Sequence, residues 1–426
     1  MRLAFVTPRY GAEIMWGAEH ACRLLAEEVC ERHDVDVLTT CARDAKTWKN
    51  EYSEGADRIR GVLVRHFAVT EPHDRAAFRQ LTERLGGGAR GRTEELEWVR
   101  RLGPWSPSLF EYLKRQGRSY DAVVFFSLWH PTTVHGVSAA PERSILFPHL
   151  RLEPALRFGI WSELMASVRG VGYLSAAEGR LARGFLHASP PVEETVGIGI
   201  ETAPQQSYPR HQQDPADSMP VDDEAGTAGE GPAETDPLAG SGVPFRRRHR
   251  LYGRIALYGG RVEADNGFEE MFEYFDTYAA ADGDTALVLM GVKMMKVPEE
   301  PYVRLAGVLP DRERMIAYEA ADVTLVPSSD DLLSQSLLES LAVGTPVLAS
   351  ARNEAAVEHI RRANAGLYYA TREEFAEALR LLMTNTRLRE RLGESGRQYI
   401  KQNHRWDAVV GRFERLVMKA RTKNRS

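Results

Sequence analysis

The sequence has few cysteines, no excess of basic residues and no long apolar run. Its three cysteines, Cys22, Cys30 and Cys41, are too few for a disulfide framework and are not spaced as zinc ligands, so we expect reduced thiols and a cytosolic protein. The net charge of −5 is unlike the basic surface of a nucleic-acid-binding protein. Without an apolar run of about 18 residues no transmembrane span is expected, and Leu3–Val6 is too short for a signal sequence.

The length of 426 residues favours two domains, because one domain typically has about 100–200 residues. Residues 201–244 differ from the rest in composition, with nine acidic side chains and Arg210 as the only basic one. Such a stretch buries too little apolar surface to fold by itself. We therefore predict a disordered linker at 201–244 between one domain of residues 1–200 and another of residues 245–404.

Short apolar runs alternate with helical patterns on both sides of this linker. The predicted strands are Leu3–Val6, Val35–Leu38, Ala122–Phe126, Ile145–Phe147, Val171–Leu174, Val196–Ile200, Ile255–Tyr258, Ala286–Met290, Val303–Ala306, Val323–Val326, Val347–Ala349 and Leu367–Tyr369. This alternation predicts an α/β protein with two doubly wound parallel sheets, each covered by helices. Since ligands of such sheets bind beyond the carboxyl ends of the strands, we expect the site in a cleft between the two domains.

The segment from Val326 to Val347 has the clearest chemical pattern. A strand ends at Val326, a polar turn follows, and a helix is predicted to begin near Ser334. The unpaired amides at a helix N-terminus suit a diphosphate. Asp331 and Glu339 place two carboxylates beside it for sugar or ribose hydroxyls. The structural alternative is that Asp331 caps the helix and Glu339 is a solvated surface residue.

This segment resembles the E-x7-E signature of glycosyltransferase family 4. Three further stretches resemble sequence motifs of the family: Pro8–Glu13 leading to Gly17–Glu19, Tyr258–Arg261 followed by Asn266 and Gly267, and Ala365–Tyr369. The resemblance implies the two-domain GT-B fold and a retaining, nucleotide-sugar-dependent reaction. It also implies that a C-terminal helix, about Trp406–Lys419 within residues 405–426, crosses back onto the first domain.

The resemblance implies roles for individual residues. Glu339 would bind the donor ribose, Asp331 the transferred sugar and Arg261 the donor diphosphate. Asp331, Arg261 and His149 are the candidate catalytic residues. The other candidate donor-binding residues are Asn266, Ser334, Gln335, Ser336, Gly260, Gly17 and Trp16, and the candidates on the acceptor side are Glu13, Arg151, Glu153, His130 and His135. No metal or other cofactor is expected, because a guanidinium and oriented amides can stabilise a leaving diphosphate.

Four positions depart from the family pattern. Asn266 stands where the family has a Lys, Asp331 where it has a Glu, Trp16 where it has a Gly, and Arg151 where it has a His. Asn266 can donate a hydrogen bond but cannot neutralise a leaving group. These departures leave a second hypothesis beside an active transferase: a catalytically weakened or inactive glycosyltransferase-like protein that binds a nucleotide sugar or partners an active transferase.

A third hypothesis is a nucleotide-sugar epimerase, for which His130 or His135 would be the acid–base group. The structural alternative for both histidines is a packed or solvated imidazole. The implied donor is a UDP- or GDP-linked sugar. The acceptor stays open among glycans, lipid-linked sugars and small molecules, and a lipid-linked acceptor would place a cytoplasmic protein at the inner face of the membrane.

Overall fold

The computed structural model describes residues 1–14, 17–71, 73–86, 91–187, 189–201, 242–263, 267–282 and 284–422. The described part forms two parallel-sheet α/β domains. Apart from Glu201 and residues 242–244, the predicted linker lies outside the described residues. The domain boundaries that depend on it stay predictions.

The first sheet has eight strands. They are β1 (Arg2–Val6), β2 (Asp34–Thr40), β3 (Gly55–Ile59), β4 (Val62–Phe67), β5 (Ala122–Phe126), β6 (Ser144–Phe147), β7 (Gly170–Tyr173) and β8 (Glu193–Thr195). Their spatial order is β3-β4-β2-β1-β5-β6-β7-β8, and only β3 and β4 pair antiparallel. The helices between them are α1 (Gly17–Cys30), α2 (Arg75–Gly86), α3 (Arg92–Leu102), α4 (Pro107–Gln116), α5 (Pro131–Ala139), α6 (Gly159–Ser167) and α7 (Ala176–Phe185).

The second sheet has six strands, all parallel. They are β9 (Arg254–Gly259), β10 (Thr285–Met290), β11 (Val303–Gly307), β12 (Val323–Val326), β13 (Val347–Ser350) and β14 (Gly366–Tyr369), in the spatial order β11-β10-β9-β12-β13-β14. The helices of this half are α8 (Val243–Arg248), α9 (Phe268–Asp282), α10 (Asp311–Ala320), α11 (Gln335–Val343), α12 (Glu354–Ala363), α13 (Arg372–Thr384), α14 (Thr386–Asn403) and α15 (Trp406–Thr422).

Strand β1 and helix α1 show why the sequence folds in this way. Leu3 and Phe5 belong to one buried cluster, and Ala4 and Val6 belong to another on the opposite face of the sheet. A strand that is buried on both faces is typical of a parallel sheet covered on each side. The apolar face of α1, which includes Cys22, is buried as well. No helix in the described ranges is long and apolar enough to cross a membrane.

The strand predicted at Val196–Ile200 is wrong. The last strand of the first sheet ends at Thr195, and Gly197 follows with a φ of +75°, which a continuing strand does not adopt. Carbonyl groups of the segment instead accept hydrogen bonds from Arg412 Nε at 2.8 Å and His404 Nδ1 at 3.0 Å. An apolar run that packs under a helix has the same sequence pattern as a short strand.

The hairpin of β3 and β4 is absent from the predicted strands. All but one of the five residues of β3 are exposed, and its side chains include Asp57 and Arg58. A polar edge strand protects a sheet from pairing with another chain, but it lacks the apolar signal that identifies strands in a sequence.

Helix α15 follows the second sheet in the chain but packs against the first. Its buried apolar residues are Val409, Val410, Phe413, Leu416 and Val417, and they belong to the same cluster as Leu3 and Phe5. Polar contacts join it to the turn between α1 and β2, with Asp407 2.5 Å from Arg32 and Glu414 2.9 Å from His33. The core of the first sheet is therefore completed by the last described helix.

A pair of glycine variants tests the close approach at the carboxyl end of the second sheet. Gly291 has a φ of +132°, and an added Cβ would lie 2.0 Å from the carbonyl oxygen of Gly260, whereas Gly307, at φ +72°, has open space around it. We expect Gly291→Ala to lower the free energy of unfolding by about 3 kcal/mol or more and Gly307→Ala by only about 1 kcal/mol. Urea unfolding measures both, and equal losses would contradict the backbone contact.

Candidate functional site

In each sheet, the chain adds strands first on one side of the opening strand and then on the other. Strand β1 lies between β2 and β5, and strand β9 lies between β10 and β12. The loops that leave such neighbouring strands diverge and open a crevice at their carboxyl ends. Candidate residues predicted from the sequence lie on these loops: Glu13 follows β1, His130 follows β5, Arg261 follows β9 and Asp331 follows β12.

Close backbone contacts hold the two loops of the second sheet together. Gly267 has a φ of +72°, and a Cβ there would lie 2.6 Å from the carbonyl oxygen of Pro327. The next carbonyl, that of Ser328, accepts a 2.8 Å hydrogen bond from Asn353 Nδ2. Gly267, at the end of the loop after β9, therefore lies against the loop that leads into α11, and Asn353 holds that second loop.

Asp331 forms the turn that begins α11. Its Oδ1 accepts hydrogen bonds from the amides of Leu333 at 3.1 Å and Ser334 at 3.0 Å. Burial raises the pKa of Asp331, and these amides partly oppose the rise. Ser334 adopts a left-handed φ of +53°. Both amides precede α11, whose first residue is Gln335, so Asp331 bonds the turn before the helix and no amide of the helix itself. The role of Asp331 toward a sugar stays a prediction.

The first turn of α11 has unpaired backbone donors. Among the described residues, no acceptor is bonded to the amides of Gln335, Ser336 or Leu337, as is usual for the first residues of a helix. Asp331 occupies the two preceding amides. The predicted phosphate cradle thus retains the donors of Gln335 and Ser336, whereas the amide of Ser334 is already used.

Glu339 lies inside the protein, so the alternative of a solvated residue is wrong. It is 5% exposed, and Arg314 of α10 binds both of its oxygens, with Nε–Oε2 at 2.9 Å and Nη2–Oε1 at 2.8 Å. Gln335 Nε2 donates to Oε1 at 2.9 Å, and Arg314 Nη1 also donates to Asp311 at 2.9 Å. Burial lowers the pKa of Arg314, but the Glu339 carboxylate outweighs burial and raises it.

The same cluster of side chains reaches the first domain through His20 of α1. His20 Nδ1 lies 3.2 Å from Gln335 Oε1. Because the amide nitrogen of Gln335 donates to Glu339, its oxygen faces His20 and we assign the proton to Nδ1. Burial, reinforced by Arg23 and Arg314, lowers the pKa of His20 to about 3. A neutral histidine thus connects α1 to the carboxylate of α11.

The loop after β1 and the first turn of α1 each contain a bound carboxylate. Glu13 accepts a hydrogen bond from the Tyr52 hydroxyl and pairs with Arg43 at 3.2 Å. Glu19 accepts two hydrogen bonds from Arg9, at 3.1 and 3.0 Å. Glu19 follows Gly17, the first residue of α1, which has a φ of +78°.

Two of the predicted histidines lie at the carboxyl edge of the first sheet. His130 Nδ1 is 2.7 Å from the carbonyl oxygen of Gly103, and His149 has a left-handed φ of +48°. Burial lowers the pKa of each to about 4, with Arg151 as a second cause at His149. Both imidazoles are therefore neutral at pH 7.

The remaining candidates differ in their exposure and in the groups they contact. His135 packs against Trp105 and Phe110, with ring centroids at 4.8 and 5.3 Å, so the packed-imidazole alternative fits it best. Arg151 pairs with Glu153 at 3.2 Å. Arg261 is 55% exposed and pairs with Glu263 at 2.5 Å. Trp16 and Asn266 lie outside the described residues.

Sequence reasoning missed Arg314, Asp311 and His20. Nothing in their local sequence sets them apart, because α10 has Arg312 as well as Arg314 and its first-turn acids resemble those of any helix. Only the packing of α10 against α11 shows which arginine faces Glu339. No pattern in the sequence would therefore have identified these residues, because the choice depends on how α10 is rotated against α11.

The fold defined by these two sheets and this cleft is the GT-B fold. Sucrose-phosphate synthase from Thermosynechococcus elongatus aligns with a TM-score of 0.65 and 15% identity, covering 98% of this chain and 99% of that chain. The Anabaena protein HepE, solved in complex with UDP and glucose, aligns with a TM-score of 0.66 and 12% identity, covering 97% and 98%. At such identities the likeness concerns the fold alone.

Sequence comparison adds a match in the second half of the chain. Residues 245–399 match the family model described as glycosyl transferases group 1. The Xenopus tropicalis protein "Glycosyltransferase 1 domain-containing protein 1" is 25% identical over 125 residues, which are 29% of this chain and 35% of that protein. The match thus spans about a third of that relative's length. The family match includes the described candidates of the second sheet and leaves the first sheet outside.

Removing the cation that holds Glu339 tests the central ion pair. Arg314→Met leaves a buried carboxylate without its partner, so we expect the free energy of unfolding to fall by about 3–5 kcal/mol. The double variant Arg314→Met/Glu339→Gln is expected to recover part of this loss. Arg261→Met, which breaks an exposed pair, should cost less than about 1 kcal/mol. Similar losses for Arg314→Met and Arg261→Met in urea unfolding would show that the pair is not buried in solution.

The neutral histidines predict a loss of stability in acid. The pKa of His149 is about 4 in the folded chain and about 6.5 when unfolded, so the unfolded state binds more protons between these values and stability falls as pH drops from 6.5 to 4. His149→Asn keeps a residue type that tolerates positive φ and should reduce this loss by about 1–3 kcal/mol. His187→Asn, at an exposed histidine with a φ of +44°, is the matched control in unfolding experiments at several pH values. The same change in both variants would contradict burial as the cause.

Proposed function

We propose that this protein is a glycosyltransferase that moves a hexose-type sugar from a UDP- or GDP-linked donor to an acceptor with retention of configuration. The observation that carries the proposal is that Arg261 and α11, which contains Glu339, follow the neighbouring parallel strands β9 and β12 of the second sheet. The family match over residues 245–399 supports it, and the complex of HepE with UDP and glucose suggests UDP as the first nucleotide to try.

The donor would bind by its charges and hydroxyls. The amides of Gln335 and Ser336 and the guanidinium of Arg261 would hold the diphosphate and stabilise the charge that develops as it leaves. In this proposal those groups take the place of a metal ion. The Asp331 oxygen that accepts no amide in the described part of the chain, Oδ2, would accept a hydrogen bond from a hydroxyl of the transferred sugar.

Glu339 retains an unused acceptor position with Arg314 in place. A carboxylate offers about four acceptor positions, and three are used, two on Oε1 and one on Oε2. A hydroxyl on Oε2 would therefore add to the ion pair without displacing it. The first domain would supply the acceptor side through Glu13, His130 and the pair of Arg151 and Glu153.

An alternative function follows from Arg314. If Arg314 prevents the ribose from reaching Glu339, the protein would be a weakened transferase, a nucleotide-sugar-binding protein or a partner subunit of an active transferase. Asn266 in place of a lysine favours the same alternative, since it removes a cation from the donor loop. A cytoplasmic location, at the inner membrane face for a lipid-linked acceptor, belongs to the proposal in either case.

A donor panel separates these possibilities. Purified protein is mixed with UDP, GDP and their glucose, galactose and mannose conjugates, and the melting temperature and the release of free nucleotide are measured. The proposal predicts that one donor raises the melting temperature and is turned over. Glu339→Gln should lower turnover by about 100-fold or more, because it removes a charged ribose acceptor and perturbs α11.

Controls and further outcomes sharpen this experiment. Glu313→Gln, at a carboxylate on the outer side of α10 that pairs with Arg248, should leave turnover unchanged. Asn266→Lys should raise donor hydrolysis if the missing cation limits the rate. A donor that raises the melting temperature without any turnover would support the binding protein, and the absence of any effect by every donor would refute both functions. The anomeric configuration of a product, read by NMR, tests retention.

A further inference from the structure

We propose that a cavity in the first domain, lined by Trp48, His73 and the charged ends of α2 and α3, is a subsite for an uncharged sugar unit of the acceptor. This inference rests on the proposed function, because it assigns the acceptor class to the side of the cleft opposite the donor loops. The cavity has a volume of about 330 Å³, at the lower end of the range for small-ligand sites.

The cavity lies directly behind the predicted cleft. Gly103, which lines it, supplies the carbonyl that His130 Nδ1 contacts at 2.7 Å. Trp48, which also lines the cavity, meets the His130 ring edge-on with centroids 5.7 Å apart. The Arg9 guanidinium lies 6.0 Å from the Trp48 ring centroid and is bonded to Glu19. The lining residues therefore contact the same side chains that border the cleft.

Two aromatic rings form the floor of the cavity. Trp48 is held in place by a 2.8 Å hydrogen bond from Nε1 to the carbonyl oxygen of Leu102, and the His73 ring stacks on it at 6.5 Å with an interplanar angle of 21°. His73 Nδ1 is buried and, among the described residues, has no hydrogen-bond partner. A buried polar atom without a partner is costly, and the ring that carries it lines the cavity.

The charged side chains of the cavity disfavour anions and acyl chains as ligands. We call the charged lining residues the rim of the cavity. They are three carboxylates, those of Glu71, Asp74 and Glu97, and two guanidinium groups, those of Arg100 and Arg101. Arg100 pairs with Glu71, and Arg101 pairs with Glu97 at 2.7 Å. The excess of carboxylates disfavours a phosphate or another anion, and an acyl chain would bury these charges without hydrogen bonds. A polyol can donate to the carboxylates and accept from the guanidinium groups.

Burial, with a smaller effect of Arg75, lowers the pKa of His73. Its imidazole is therefore uncharged at neutral pH and can exchange hydrogen bonds with a hydroxyl. Together with the mixed charges of the rim, this neutral floor fits a sugar ring better than an ion.

The test compares neutral and charged sugars on the full chain. Saturation-transfer difference NMR and calorimetry are run with maltose, cellobiose and methyl α-mannoside, and with glucose 6-phosphate as the anionic counterpart. We expect at least one neutral sugar to bind and glucose 6-phosphate to bind at least tenfold more weakly. The double variant Arg101→Met/Glu97→Leu removes the rim pair without changing the net charge and should weaken neutral-sugar binding at least tenfold.

A matched control is available on the same domain. Lys114→Met/Glu111→Leu removes another exposed pair, 2.8 Å apart on α4, and should leave sugar binding unchanged. Thermal unfolding of both double variants confirms that they fold. The proposal is overturned if no neutral sugar binds, if glucose 6-phosphate binds as well or better, or if both double variants lose binding equally.

The nucleotide shift is measured in parallel so that the two proposals fail separately. In the Arg101→Met/Glu97→Leu variant, a donor nucleotide should raise the melting temperature as it does in the unmodified chain. If the unmodified chain responds to no nucleotide but binds neutral sugar through the rim, the cavity is a sugar site and its role toward an acceptor is refuted. If nucleotides bind and neutral sugars do not, only the cavity proposal fails.

Discussion

The ion pair between Arg314 and Glu339 is the interaction on which the arrangement of the cleft depends. A carboxylate as buried as Glu339 is tolerated only when a cation and hydrogen bonds compensate its lost hydration, and Arg314 and Gln335 supply both. This requirement fixes α10 against α11. The first turn of α11 is then placed so that Gln335 contacts His20 of the first domain. One buried charge therefore orients the anion-binding end of a helix and joins it to the opposite sheet.

The two sides of the cleft differ in electrostatic character. On the second sheet, unpaired amides and the exposed guanidinium of Arg261 offer positive charge near an anionic ligand. On the first sheet His130 and His149 are neutral at pH 7, because burial disfavours their charged forms. An anion would thus be attracted to the second sheet, while the first sheet offers two neutral imidazoles beside charges that are already paired, such as Arg9 with Glu19. This division agrees with a charged donor facing a less charged acceptor.

The fold was largely predictable, because parallel strands buried on both faces leave continuous apolar runs such as Leu3–Val6 in the sequence. The polar edge strand β3 could not be predicted, because its periodicity and composition do not distinguish it from a loop. The run Val196–Ile200 was predicted wrongly, because the same properties do not distinguish it from a strand. In the candidate site, the sequence predicted a helix beginning near Ser334, and α11 begins at Gln335, but the sequence did not show that Asp331 bonds the two amides before that helix. The partner of Glu339 could not be predicted, because Arg314 differs from Arg312 only in the direction it faces after folding.

Helix α15 comes after the second sheet in the chain but belongs to the core of the first sheet. Its residues Val409, Phe413 and Leu416 complete the cluster that contains Leu3 and Phe5, about four hundred positions earlier in the sequence. During synthesis the second sheet can assemble from residues that leave the ribosome together, whereas the first must wait, with part of one apolar face uncovered, until the last helix emerges. Domains usually form in the order of translation. Here the half that is made first is the half that is finished last.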